Sequence, residues 1–168
     1  MYSKWFVLIG LAACSSNTVA HIPDAPGGGS AGMVEPCAIM ASSSMITGST
    51  GSTGGSCTPS LVNTTTIAID WVATDASGSN NATCEMTCGI MPGVVPQTVG
   101  FRTGTTGCNV EIDYHAANNG ILDSWDGTAT DTIEVTVTDL ATVSGTIHIA
   151  IADDSNATNS AMSVTGTF

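Results

Sequence analysis

The stretch Leu61-Val-Asn-Thr-Thr-Thr-Ile-Ala-Ile-Asp-Trp-Val-Ala73 alternates with a period of two. Ile67, Ile69 and Trp71 fall on one side, and Thr66, Ala68 and Asp70 on the other. Successive side chains of a strand point to opposite faces, and β-branched and aromatic residues suit a pleated surface, so this run is expected to be a half-buried strand. The pattern recurs downstream. Val110, Ile112 and Tyr114 alternate with Asn109, Glu111 and Asp113. Ile133, Val135 and Val137 alternate with Glu134, Thr136 and Thr138, and Ile147, Ile149 and Ile151 repeat the theme. Weaker strand signals lie at 83–88, 98–103 and 161–168. No helical period follows Leu61.

About seven strands with one apolar face each, separated by turns rich in Gly, Asn, Asp and Ser, point to an all-β, antiparallel β-sandwich. An immunoglobulin-like arrangement is the leading expectation, although the Cys…Trp…Cys spacing of an antibody domain is not evident. The segment EPCAIMASSSM (Glu35–Met45) reads equally as a short helix or an edge strand.

Upstream the character changes. A single Lys4 precedes the apolar run Trp5–Ala13, which is the layout of a secretory signal. Nine residues of helix cover only about 14 Å, against the roughly 30 Å of a bilayer core, so a permanent span is not expected. Leu11-Ala12-Ala13-Cys14 resembles the lipobox of bacterial lipoproteins. That resemblance implies acylation of Cys14 on sulfur and cleavage just before it. In Gram-negative members of that family a non-acidic residue after the cysteine, here Ser15, implies sorting to the outer membrane. The organisation is then a signal peptide over 1–13, a lipidated flexible tether over 14–34 and one β domain over 35–168. The tether contains Pro23, Pro26 and a Gly triplet with no apolar period. No strand precedes the triplet and no Lys stands near it, so it reads as linker rather than phosphate loop.

The chain carries two Lys/Arg against fourteen Asp/Glu, a formal charge of −12. Removing the signal leaves Arg102 as the sole cation, and the charge becomes about −13. Such a surface repels phosphate backbones and has almost no cations with which to displace their counterions, which disfavours nucleic acid as a partner. Anionic lipid headgroups are disfavoured for the same reason. Attachment to the membrane is therefore expected through the lipid alone, with an envelope or extracellular protein or glycan as partner.

With Cys14 acylated, Cys37, Cys57, Cys84, Cys88 and Cys108 remain, an odd number. Export implies oxidation. A Cys37–Cys57 disulfide around the low-complexity TGSTGSTGGS (Thr47–Ser56) is expected; one of Cys84 and Cys88 then meets Cys108 and the other is left over. A zinc site of Cys84, Cys88, Cys108 and His115 is the sharper alternative, but Cys-x3-Cys is a loose spacing and exported thiols oxidise.

Three further constellations invite chemistry. Asp123, Asp126 and Asp131 cluster around Gly127 in NNGILDSWDGTATD, where hard Ca2+ would find oxygens, although the spacing is not that of an EF-hand. Trp125 among them is either a sugar-stacking platform or a cap on the core. The second acidic turn, Asp153-Asp154-Ser155-Asn156, joins such a site only if the fold brings the loops together. For catalysis, Ser124, His115 and Asp113 are close in sequence, but no Gly-x-Ser-x-Gly elbow is present and no carboxylate pair has a recognisable arrangement. Sequons at Asn63, Asn81 and Asn156 matter only in a host that glycosylates them. The resulting expectation is a non-catalytic structural or interaction module, with calcium-dependent or carbohydrate binding around Trp125 as the alternative.

Overall fold

The computed structural model describes residues 37–117, 120–152 and 161–168. The expected signal peptide, Cys14, the expected tether and the acidic run Asp153–Asn156 lie outside the described residues. The chain divides by contact into Met1–Gly32 and Met33–Phe168, and all described residues belong to the second unit.

The described residues form twelve antiparallel strands and no helix: β1 (Ala38–Ser42), β2 (Thr47–Ser49), β3 (Ser56–Asn63), β4 (Thr66–Asp75), β5 (Asn81–Gly89), β6 (Gln97–Val99), β7 (Gly107–Asn109), β8 (Glu111–His115), β9 (Ile121–Asp126), β10 (Thr132–Asp139), β11 (Ser144–Ile151) and β12 (Met162–Thr167). They join in one sheet ordered β6-β10-β11-β12-β1-β2-β4-β5-β8-β9, with β3 beside β4 and β7 beside β5.

The alternation in β4 sorts as its sequence suggests. Ile67, Ile69, Trp71 and Ala73 are buried and Asp70 is exposed. Ala82, Cys84, Met86 and Cys88 of β5 share the same inner face, as do Ile133, Val135 and Val137 of β10 and Ile147, Ile149 and Ile151 of β11.

These side chains form a single cluster that reaches from Val99 of β6 to Trp125 of β9, the two ends of the strand order. With no helix to cover it, the inner face can be buried only if the sheet folds over itself. It does so as a curled half-barrel. β2 links β1 to β4, pairing with β4 only through Gly48↔Asp75 and Ser49↔Thr74. On the other side the chain beyond β6 meets β7, where Cys108 N donates to Gly100 O at 2.8 Å and Arg102 N donates to Cys108 O at 3.0 Å. Gly127 marks a close approach between the halves: a Cβ there would stand 2.7 Å from Ile133 Cδ1.

The architecture corrects the sequence reading in several places. Twelve strands replace about seven because short pieces join the sheet. Glu35–Met45 contributes β1, which is hydrogen-bonded on both sides, to β12 and β2, and is neither helix nor edge. The run from Leu61 to Ala73 is not one strand. Asn63 Oδ1 accepts from the amide and hydroxyl of Thr65 at 2.9 and 3.0 Å, and this side-chain turn closes a hairpin between β3 and β4. Residues 108–115 break at Val110 into β7 and β8. Within the stretch expected as a loop, Trp125 and its neighbours from Ile121 to Asp126 form β9.

Candidate functional site

Trp125 is 0% exposed. It stands in β9 opposite Ile112 of β8, on the inner face, so its indole is part of the core and offers no surface to a sugar. This corrects the stacking-platform expectation. The cause is the strand itself: in period two, Trp125 inward forces Asp126 outward.

The same alternation separates the expected calcium ligands. Asp123 is on the Trp125 side of β9, and its Oδ1 accepts from Ser124 N at 3.0 Å. Asp126 is exposed and lies opposite Glu111. Asp131 closes the turn into β10: one oxygen accepts from Thr128 N at 2.8 Å and Thr128 Oγ1 at 2.6 Å, and the other from Ala152 N at 2.9 Å. Desolvation pushes the Asp131 carboxyl up, but these three donors outweigh it and hold it below its ordinary range. Asp123, Asp126 and Asp131 do not converge, and among the described residues no three His, Cys, Asp or Glu side chains assemble at metal-binding distance.

The cysteines pair as Cys37–Cys57 and Cys88–Cys108. Cys88 and Cys108 are direct cross-strand partners of β5 and β7, with Cα atoms 4.0 Å apart. Cys84, four residues earlier, faces Ile112 across β8 and Trp71 across β4. It is a buried free thiol, and burial pushes it up to about 12, well away from the thiolate form that reacts or binds metal. His115 belongs to another row, its Nε2 3.2 Å from Thr83 Oγ1. His148 is exposed, with Nδ1 3.6 Å from Glu134.

What the register does bring together is a carboxylate face on the outside of β4, β5, β8 and β9. Asp70 of β4 sits directly opposite Glu85 of β5, and Glu111 of β8 directly opposite Asp126 of β9. In the next row Asp113 lies between Thr83 and Ser124. A groove of about 530 Å³ runs over Thr58, Asp70, Thr83, Glu85, Glu111 and Asp113. A smaller one of about 280 Å³ shares Glu85 and Glu111 and adds Asp126. Desolvation and the neighbouring Glu85 charge raise the Asp70 carboxyl above its ordinary value. The sequence marks Asp70, Glu111 and Asp113 as outward residues, but only pairing places them beside one another.

Like charges directly opposite on a sheet are destabilising by roughly 0.2–1 kcal/mol. Glu85→Gln is therefore expected to raise the melting temperature at pH 7 and to lower the Asp70 carboxyl toward its ordinary value, read by NMR titration. Added NaCl should narrow the difference between the two proteins, because it screens the same repulsion.

A second carboxylate has the opposite environment. Asp75 ends β4, and its oxygens accept from Ser77 Oγ at 2.8 Å, Asn80 Nδ2 at 2.6 Å and the Ser77 and Ser79 amides. The Ser77 hydroxyl first, then Asn80, hold Asp75 down at about 2, against an ordinary 3.8. A carboxylate with a depressed folded-state value stabilises the fold fully above the unfolded value; that share is lost as pH falls through the folded one. The Asp75 titration is expected to centre near 2, and Asp75→Ala should flatten the loss of stability between pH 4 and 2.

No protein-family model, no curated protein and no solved structure matches this chain.

Proposed function

We propose that the chain is a lipid-anchored protein of the cell envelope, most naturally of the outer membrane or cell surface. Its β domain, an immunoglobulin-like sandwich, serves as a non-catalytic structural or interaction module. The observation that carries the reading is how the interior is used. Trp71, Trp125, Ile39, Ile67, Ile69, Met86 and Ile112 fill the space between the two halves of the sheet, which leaves the exterior to meet partners.

Two disulfides suit an oxidising compartment, in keeping with the basic start, apolar core and lipobox-like Leu11–Cys14. The two halves, β6-β10-β11-β12-β1 and β3-β4-β5-β8-β9, favour the sandwich description. A partner would be an envelope or extracellular protein or glycan. Nucleic acid is disfavoured by charge.

The deciding experiment is the intact mass of the mature protein from host membranes, beside a Cys14→Ser variant. A chain starting at Cys14 with diacylglycerol and fatty-acyl mass, absent from the variant, is the expected result. An unmodified chain in the medium overturns the anchor. The calcium- or carbohydrate-binding alternative needs Trp125, Asp123, Asp126 and Asp131 on one surface. The expected result is no Ca2+-induced rise in melting temperature beyond that of Mg2+. A larger rise, lost in an Asp123→Asn, Asp126→Asn double variant, would restore that alternative.

A further inference from the structure

At one end of the domain two adjoining segments are apolar. The β3–β4 hairpin and the β5–β6 connection meet there: Thr66 pairs with Gly89, and Ile90 N donates to Thr65 O at 2.9 Å. Leu61 (46% exposed), Val62 (58%), Met91 (53%), Val94 (42%) and Val95 (43%) lie in these two segments, five of the nine large hydrophobics exposed among the described residues. The chain has sixteen Lys, Arg, Asp and Glu, yet none occurs from Ser56 to Ile69 or from Met86 to Phe101.

The connection is a built feature. Met91-Pro92-Gly93-Val94 forms a turn with Gly93 at φ +70°, a conformation that glycine adopts freely. Gln97, buried beneath it, accepts from Met91 N at 2.9 Å through Oε1 and donates through Nε2 to Met91 O at 2.9 Å and Val94 O at 2.6 Å. The polar backbone is thereby satisfied from below, and Met91, Val94 and Val95 are left facing out. The neighbouring open edge of β3 carries Pro59 and a register shift between Leu61 and Asn63. Both features blunt an edge against strand addition, so this end presents side chains rather than a template for pairing.

We infer that this tip docks on a zwitterionic phospholipid surface, with Leu61, Val62, Met91, Val94 and Val95 entering the headgroup–acyl boundary. The inference rests on the lipid-anchor reading above. Charge favours a bilayer of this kind: a domain so acidic is repelled by anionic lipid, whereas the two segments that carry these side chains have no charged residue of their own to desolvate at a neutral surface. Chain length agrees: only twenty-two residues separate Cys14 from Cys37, a covalent reach of at most roughly 80 Å that ties the domain to an anchored Cys14. Half-exposed aliphatic side chains give weak insertion alone and useful insertion beside an anchor, which is the two-signal logic of peripheral membrane attachment.

The test uses the protein as extracted from its host, carrying Met91→Trp or Val94→Trp, with Ile121→Trp as reference. Ile121 is exposed and lies at the opposite end of the sheet, through the pairs Ile121↔His115, His115↔Asn81 and Asn81↔Thr74. Each variant is mixed with phosphatidylcholine vesicles with or without brominated acyl chains, and the parent's emission is subtracted. Emission at 91 and 94 is expected to fall by about half in brominated vesicles, with Ile121→Trp nearly unaffected. Equal quenching at all three positions, or none, overturns the inference. Self-association abolished by Val94→Asp without quenching overturns it too, in favour of a second copy as the occupant. A mature mass lacking acyl groups overturns the anchor separately, and the same quenching at raised lipid concentration still decides the tip.

Discussion

Replacing Trp125 by alanine is expected to lower the stability of the domain by about 3–5 kcal/mol, the range for emptying a large buried aromatic site. For a domain of this size that corresponds to a fall in melting temperature on the order of 10–20 °C. The reason is position. Trp125 is fully buried in β9 against Ile112 of β8, near the place where Gly127, two residues on, approaches Ile133 of the other half. The cavity left by alanine would open where the two halves of the sheet meet, a place that cannot collapse without moving both. Trp125→Phe should recover part of the loss by keeping a ring. Ser124→Ala, one position away and half-buried on the outer face, should stay within about 0.5 kcal/mol of the parent. Urea denaturation monitored by circular dichroism measures all three. A Trp125→Ala protein as stable as its parent would place the indole outside the core, and the sugar-stacking reading would return.

The second large effect concerns the disulfides. Each closes a loop with a sequence separation of 20 residues. On the chain-entropy model, opening either one destabilises by about 3 kcal/mol, because the unfolded chain regains the freedom the link had removed. Cys88→Ala with Cys108→Ala should show this loss in equilibrium unfolding, as should Cys37→Ala with Cys57→Ala. The quadruple variant gives up about 6 kcal/mol, which falls within the total stability typical of a domain and should leave it largely unfolded at 37 °C. Burial distinguishes the pairs kinetically. Cys88 and Cys108 are each 0% exposed, whereas Cys37 and Cys57 are partly buried, so mild reductant should open Cys37–Cys57 first and reach Cys88–Cys108 only through unfolding. Simultaneous reduction of both pairs under native conditions would contradict the burial.

The role of Cys84 shows where sequence reading stops. Cys84 and Cys88 lie on the same strand face because their spacing is even, and period two alone gives that much. Which of them meets Cys108 depends on the register of β5 against residues 107–115, which runs unshifted through Val110 and sets Cys88 opposite Cys108 and Cys84 opposite Ile112. Pairing Cys84 with Cys108 instead would slip that register by four residues and leave every side chain on the same face, so an alternation such as Asn109 to Tyr114 does not distinguish the two. The acidic face has the same origin. Asp70, Glu85, Glu111 and Asp126 are each outward on their own strands, but they become neighbours only because β4 pairs with β5 and β8 with β9 in one register.

By itself the sequence determined the class of secondary structure, the inward set of each long strand, the extreme acidity and the lipobox-like start, because these depend on local periodicity and on composition. Trp125 could be core or surface from its neighbours alone, and Glu35–Met45 could be strand or helix. Tertiary structure decided both, along with the strand count, the cysteine partners, the acidic groove and the apolar end. The physical reason is that side-chain direction within a strand repeats every two residues and can be read along the chain. Pairing, curling and closure depend on backbone hydrogen bonds and burial between residues far apart in sequence, and those energies exist only once the chain has folded.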